Sequence, residues 1–208
     1  MLSTPQKPPV LRLLTPGLDF LRPYINAELS DIYDIIYDDS TTPDTTLAIV
    51  REGEENAIDK KVINTLLITP DTIIGTGMNG IGRQLAEGIA RGRLYHIKGN
   101  ETSVSVIHAT AIAQAARMAA ATPGRFVVAE AEPVSIDTLI EALATRINGR
   151  RVYTIGPKWS KWLMSADLRK LTTTDRVTLP DFTTHFPDFA PTPACEYLTT
   201  HDYSDDTI

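Results

Sequence analysis

Gly75, Gly77 and Gly80, within Thr72-Ile-Ile-Gly-Thr-Gly-Met-Asn-Gly80, stand at the Gly-x-Gly-x-x-Gly spacing that lets backbone amides close on a pyrophosphate. They lie between an apolar run and a helical pattern, as that chemistry requires. About 20 residues further on, where an acid would take the ribose hydroxyl, the chain offers Asn100 and Glu101 in a Gly-containing loop. That loop favours a structural turn over a nucleotide grip. A second candidate opens the chain, at Thr15-Pro-Gly-Leu-Asp-Phe-Leu-Arg22, with Asp38 or Asp39 about 20 residues later in the place of a ribose-binding acid. The same acids suit a solvated Asp-Asp-Ser loop.

Other side chains bring chemistry without a constellation. Arg91, Arg93 and Lys98 have the charge to meet a diphosphate, and equally the position to favour a helix C-terminus. His108 follows a β-prone run and faces either a cleft or a structural hydrogen bond. Cys195 is the one cysteine, so no internal disulfide forms, no Cys/His spacing suits zinc, and a nucleophile would need a base beside it. His185 and His201 fall in a Pro- and Thr-rich stretch and read as surface residues. Trp159, Trp162 and Leu163, near Met164, have helical spacing that points to core or interface packing. Tyr24, Tyr33 and Tyr37 read as packing residues of the opening unit.

The elements that must position these residues follow from periodicity. Leu11–Leu14, a tight turn, a helix beginning near Pro23 and running to Leu29, then Asp34–Asp39 read as strand, turn, helix, strand. Thr45–Val50 is a short third strand. Residues 51–62 carry acid-to-base spacings around Ala57 and Ile58, which predicts a polar-faced helix. The run 65–74 is apolar and β-branched, as in a buried parallel strand. Helices are expected over 81–92, 109–121 and from the Ser135 cap to about Ile147, where Asn148-Gly149 stops it. Strands are expected over 93–97, 103–107, 125–129 and 151–155. From Pro157 onward, helical pieces and extended chain wrap the body.

The segment Thr15–Arg22 resembles the Thr-Gly-x-x-Gly-Phe-Ile-Gly opening of extended short-chain dehydrogenase/reductases, the NAD-dependent epimerase/dehydratase family. Thr15, Gly17, Phe20 and Leu21 keep their types, while the three motif glycines fall on Pro16, Asp19 and Arg22. Thr69-Pro-Asp-Thr-Ile-Ile-Gly-Thr-Gly77 is similar to the family's Arg-Pro-x-x-Val-Tyr-Gly-Pro-Gly. The order that follows matches its C-terminal half: a helix ending at Gly92, Gly99, Val104–His108, an Ala-rich helix, Gly124-x-Phe126, then Ser135 and Leu139. The resemblance implies a Tyr-x-x-x-Lys pair, yet no Tyr here has Lys four positions on. Aligned through Glu55, the pair falls on Leu47 and Arg51, neither able to relay a proton. The family's Asp after His108 is replaced by Ala111. A carboxylate at Asp19 would repel a phosphate at the helix start.

The expected fold is therefore α/β: an abbreviated Rossmann-like parallel sheet flanked by helices over 1–156, with a small C-terminal lobe over 157–208. The expected function is binding or assembly by a catalytically silent relative, with a small, sugar-nucleotide-like metabolite or a protein as partner and homo-oligomers allowed. No cofactor is expected, with NAD(P) and an active nucleoside-diphosphate-sugar epimerase, dehydratase or reductase as the alternative. Cleft candidates are Thr15, Gly17, Asp38, Gly75 and Gly77, with Arg93 and His108 for substrate and no metal ligands. A net charge of −6 argues against nucleic acid and anionic membrane. No apolar run approaches a membrane span and no signal pattern opens the chain, so a cytoplasmic location is expected.

Overall fold

Runs of Leu, Ile and Val at alternating and continuous spacing become strands buried on both faces, and the elements follow one another along the chain. A computed structural model describes residues 7–38, 41–59, 61, 63–147 and 151–200. The order is β1 (Val10–Leu14), α1 (Arg22–Leu29), β2 (Asp34–Ile36), β3 (Thr45–Arg51), β4 (Thr65–Thr69), β5 (Thr72–Ile74) and α2 (Gly80–Ala90). There follow β6 (His96–Ile97), β7 (Ser103–Val104), β8 (Val106–His108), α3 (Ala109–Ala119), β9 (Gly124–Val127), β10 (Val134–Ser135) and α4 (Ile136–Arg146). The chain ends with β11 (Thr154–Ile155), α5 (Pro157–Leu163), α6 (Ala166–Thr173), α7 (Phe182–His185) and α8 (Ala194–Thr200).

Five strands form one sheet in the order β2-β1-β3-β4-β9, and every pairing is parallel. This is the parallel, helix-flanked Rossmann-like α/β architecture expected from the sequence. The chain moves from β1 to β2 on one side and then returns to place β3 on the other. The order therefore reverses between β1 and β3, and a crevice opens beyond their carboxyl ends.

One face of the sheet carries the larger core. Leu11, Leu13, Leu47, Ile49, Leu67 and Phe126 pack under α1, α3 and the later residues Phe182 and Phe189. Alanine dominates the inner face of α3, which lets it lie close to α1. A second core joins α2 and α4 to the small strands and takes in Met164, Ala194 and Leu198 from the C-terminal segment.

The other face is covered differently. Ala48, Val50, Leu66 and Ile68 are buried there, packed against Leu14, Ile58, Ile63 and Val127. The helix expected over 51–62 is absent; Arg51 ends β3, Gly53 turns the chain at φ 85°, and only a 3-10 turn, Glu55–Ala57, forms. Extended backbone at Ile58 suits covering the sheet better than a polar helix, since Ile58 and Ile63 are five residues apart. Lys60 and Val62 lie outside the described residues.

Further expectations change, among them the strand over 103–107, which splits at Ser105 into β7, paired with β10, and β8, paired with β5. The strand at 45–51 is not abbreviated: it is the longest of the sheet and almost wholly buried. The run 65–74 divides at Pro70, which has no amide hydrogen to donate to a ladder. β4 stays in the main sheet, while β5 pairs with β8. The strands expected over 93–97 and 151–155 shrink to His96–Ile97 and Thr154–Ile155, which pair with each other. The C-cap at Asn148-Gly149 lies outside the described residues.

Candidate functional site

The crevice at the strand reversal is built by the residues that follow β1 and end β3. Thr15, next after β1, is buried, and its hydroxyl oxygen has no hydrogen-bond partner. The chain then turns so that the Leu18 amide donates to the Thr15 carbonyl at 2.9 Å, with Gly17 at φ 65°. Across the crevice the last residue of β3, Arg51, sends its guanidinium into the same space. Its side chain is only 13% exposed.

Arg51 joins two glycine turns. It donates from Nη2 to Asn79 Oδ1, and Asn79 Nδ2 donates in turn to the Gly17 carbonyl at 2.7 Å. Glu54 stands 3.9 Å from Nη1, a loose ion pair, and the Arg51 Nε hydrogen is buried without an acceptor. A side chain at Gly80 would place its Cβ 3.3 Å from Nη2, and one at Gly17 would lie 4.0 Å from Nη1. The guanidinium thus occupies the gap between the turn after β1 and the loop before α2. Asn79 stands at the N-cap of α2 yet makes no capping bond, because its side chain serves this bridge.

The start of α1 is equally occupied. A 3-10 turn, Asp19–Leu21, leads into the helix, Pro23 sits in its first turn, and Arg22 pairs with Asp19 at 2.7 Å. The Arg22 guanidinium lies 4.5 Å from the centre of the Tyr37 ring, and the Tyr37 hydroxyl donates to Asn26 Oδ1 at 2.5 Å. Burial pushes the Tyr37 phenol up, against the hydrogen bond to Asn26. The Asp19 carboxylate is therefore not simply repulsive: Arg22 partners it. Asp38 is exposed two residues beyond β2; Asp39 lies outside the described residues.

Gly75 and Gly77 lie against Tyr24 of α1 and Phe20 of the turn before it. A Cβ on Gly75 would fall 2.9 Å from Ala109 Cβ and 3.0 Å from the Tyr24 oxygen, and one on Gly77 would lie 3.5 Å from Phe20 Cβ. The Thr76 amide donates to that Tyr24 oxygen at 2.6 Å. Sequence candidates Thr15, Gly17, Gly75 and Gly77 are thus brought together around the first turn of α1. The Gly75–Gly80 motif does not leave a strand of the main sheet; it follows β5 of the small sheet.

His108 is buried. At the end of β8 it caps α3, its Nδ1 accepting from the Thr110 amide at 3.2 Å and meeting the Thr110 hydroxyl at 2.8 Å. Its ring stacks on Tyr197 at 3.7 Å and meets Tyr24 edge-on at 6.2 Å. Burial raises the Tyr197 phenol, and Tyr24 adds to the effect. Arg93 is exposed in the loop after α2, whereas His108 is buried. Arg91 pairs with Glu87 at 3.0 Å. Leu47 and Arg51, aligned by resemblance with the Tyr-x-x-x-Lys pair, lie on strand β3.

Two clefts were missed at the sequence level. One, of about 620 Å³, is lined by His96, Lys98, Asp137, Glu141 and Thr154 among others. There His96 Nδ1 lies 2.8 Å from Asp137 Oδ1 and Nε2 lies 2.6 Å from Glu141 Oε1. Asp137 and Glu141 are four apart on α4, a visible spacing, but nothing in the sequence marks His96 as their partner. The carboxylates take opposite ring nitrogens, and among the described residues no three such side chains converge on a metal site. The other cleft, of about 450 Å³, lies beyond β9 between Glu130, Glu132 and an apolar wall that includes Phe189, Pro191 and Pro193. Burial raises the Glu130 carboxyl, and its Oε1 accepts from the Ala194 amide at 2.5 Å. Burial first, and then Glu130, push the Cys195 thiol up to about 11.

No family model matches the sequence, and no curated protein matches it. Solved structures do. A GDP-L-fucose synthetase from Naegleria fowleri bound to NADP is 8% identical, with 93% of each chain covered and a TM-score of 0.62. dTDP-4-dehydrorhamnose reductase from Bacillus anthracis in complex with NADP is 10% identical, covering 94% of this chain and 98% of its own, with a TM-score of 0.61. The human epimerase family protein SDR39U1, isoform 2, with NADPH is 10% identical over 91% of this chain and 98% of its own, with a TM-score of 0.56. What such low identity carries is architecture. The chain has the Rossmann-like fold of the extended epimerases and reductases.

Proposed function

We propose that this chain is a catalytically silent relative by fold of those enzymes, a cytoplasmic protein that binds a small, sugar-nucleotide-like metabolite or an active partner. The observation that carries the reading is the Arg51 guanidinium, lodged between the two glycine turns and tied through Asn79 to the Gly17 carbonyl. A dinucleotide pyrophosphate needs bare amides at a helix start. Here Asp19 and Arg22 carry side chains at the fingerprint's glycine positions, and Pro16 has no amide hydrogen. Proton relay also lacks a donor: Leu47 and Arg51 stand on a strand where the resemblance would put Tyr and Lys.

Isothermal titration with NAD, NADP and their reduced forms tests the silent half of this reading. No heat of binding up to millimolar nucleotide is expected; a micromolar Kd overturns it. A thermal-shift screen with nucleoside-diphosphate sugars tests the binding half, with a saturable rise in Tm expected for at least one.

The second reading, an NAD(P)-dependent epimerase, dehydratase or reductase with an atypical site, draws on Gly75, Gly77 and Gly80 at the mouth of the crevice and on the NADP or NADPH held by the three similar structures. In that case Arg51 would have to swing out on nucleotide binding. Turnover of NADPH with a nucleoside-diphosphate 4-keto sugar would establish it.

A further inference from the structure

The helical spacing of Trp159 and Trp162 points to core or interface packing, and the structure exposes both, so neither belongs to the core. Of the seven residues of α5, Pro-Lys-Trp-Ser-Lys-Trp-Leu, only Ser160 is buried. Trp162 is 86% exposed, Trp159 65% and Leu163 46%, and Tyr153, just before the helix, is 61% exposed. Cations surround them: Lys158 and Lys161 each precede a Trp, and the Arg151 guanidinium lies 5.5 Å from the centre of the Tyr153 ring. Between Glu141 and Asp167 the chain has five basic residues and no acid. Since the whole chain is −6, the rest of it carries −11. The net charge that argued against an anionic surface therefore hides a strong segregation.

We propose that α5 and its approach are a docking element for an anionic lipid surface. Exposed Trp and Leu beside Lys and Arg form the composition that seats a short helix at a headgroup boundary, where the rings enter and the cations meet lipid phosphate. Other occupants fit less well. A two-fold dimer through this face would oppose Lys158, Lys161 and Arg151 of one copy with those of the other. Protein interfaces are depleted in Lys, yet here a Lys flanks each Trp. Single-stranded nucleic acid asks for a basic groove that tracks its backbone, and neither of the two clefts described above includes a residue of α5.

The two tryptophans of the chain both lie on this helix, so intrinsic fluorescence reports it alone. The full chain is titrated with vesicles of phosphatidylcholine containing phosphatidylserine, with phosphatidylcholine alone, and with an oligonucleotide. Co-sedimentation and a blue shift on the anionic vesicles, weakened by salt and small on neutral ones, are expected. Lys158→Gln with Lys161→Gln should weaken partitioning about thirtyfold, and Trp159→Ala with Trp162→Ala should abolish it. No shift on anionic vesicles overturns the proposal, as does equal binding to neutral ones. Tighter capture of the oligonucleotide overturns it too, as does a concentration-dependent dimer lost with the Trp pair. The wild-type spectral shift needs no variant to fold.

Discussion

At the scale of single residues, Arg51 is the decisive side chain, because it brings a cation and bulk into a space that glycine turns usually leave open. Its bond to Asn79 is charge-assisted and partly buried. Arg51→Ala should lower stability by about 1–2 kcal/mol in urea unfolding, leaving the Asn79 oxygen without its donor. An unchanged midpoint would mean the bridge holds nothing. Glu130 makes the opposite kind of prediction. Burial raises its folded pKa above the ordinary 4.5, so its contribution is fully present below that value and is lost as pH rises through the raised one. Glu130→Gln, which keeps an acceptor for the Ala194 amide, should be more stable than wild type at pH 7 and equal to it near pH 4. The Arg117 hydrogen bond lowers Asp31 and works with the opposite sign; comparing the two proteins at each pH cancels it. Cys195, raised to about 11 from 9.0, should react with iodoacetamide at pH 8 on the order of a hundredfold more slowly folded than unfolded. Equal rates would deny its burial.

At the scale of elements, Gly75 shows how closely the site is assembled. Its missing Cβ makes room for both the first residue of α3 and the Tyr24 hydroxyl. Gly75→Ala should cost about 1–3 kcal/mol by thermal unfolding, because Ala109 is fixed by the helix and cannot retreat. Legibility also belongs to this scale. The opening strand, turn and helix, the Ala-rich α3, and α4 with its Ser135 cap could be read because apolar period and capping chemistry agree there. The residues of β3 pointed to a strand but not to its central, buried place, which depends on pairing with both β1 and β4. Charge spacing over 51–62 imitated a helix, and tertiary demand on Ile58 and Ile63 to cover Ala48 and Val50 outweighed it. The site was half legible. Thr15, Gly17, Gly75 and Gly77 were marked by turn chemistry, whereas the roles of Arg51 and Asn79 arise from contacts between segments 28 residues apart, and His96 from a pairing across 41 and 45.

At the scale of the whole molecule, the chain has a Rossmann-like fold in which the residues packed on one sheet face come from loops and strand ends. Five parallel strands reverse their order between β1 and β3. The first core lies beneath α1 and α3. Among the described residues no helix is long and apolar enough to cross a membrane; the exposed α5 offers contact with a surface instead. The Arg51 guanidinium fills the crevice at the strand reversal. Crystals soaked in NADPH test it most directly. The expected map shows the Arg51 guanidinium still bonded to Asn79 and no nucleotide against Thr15–Arg22; pyrophosphate density on the amides of that turn, with Arg51 displaced, would contradict it.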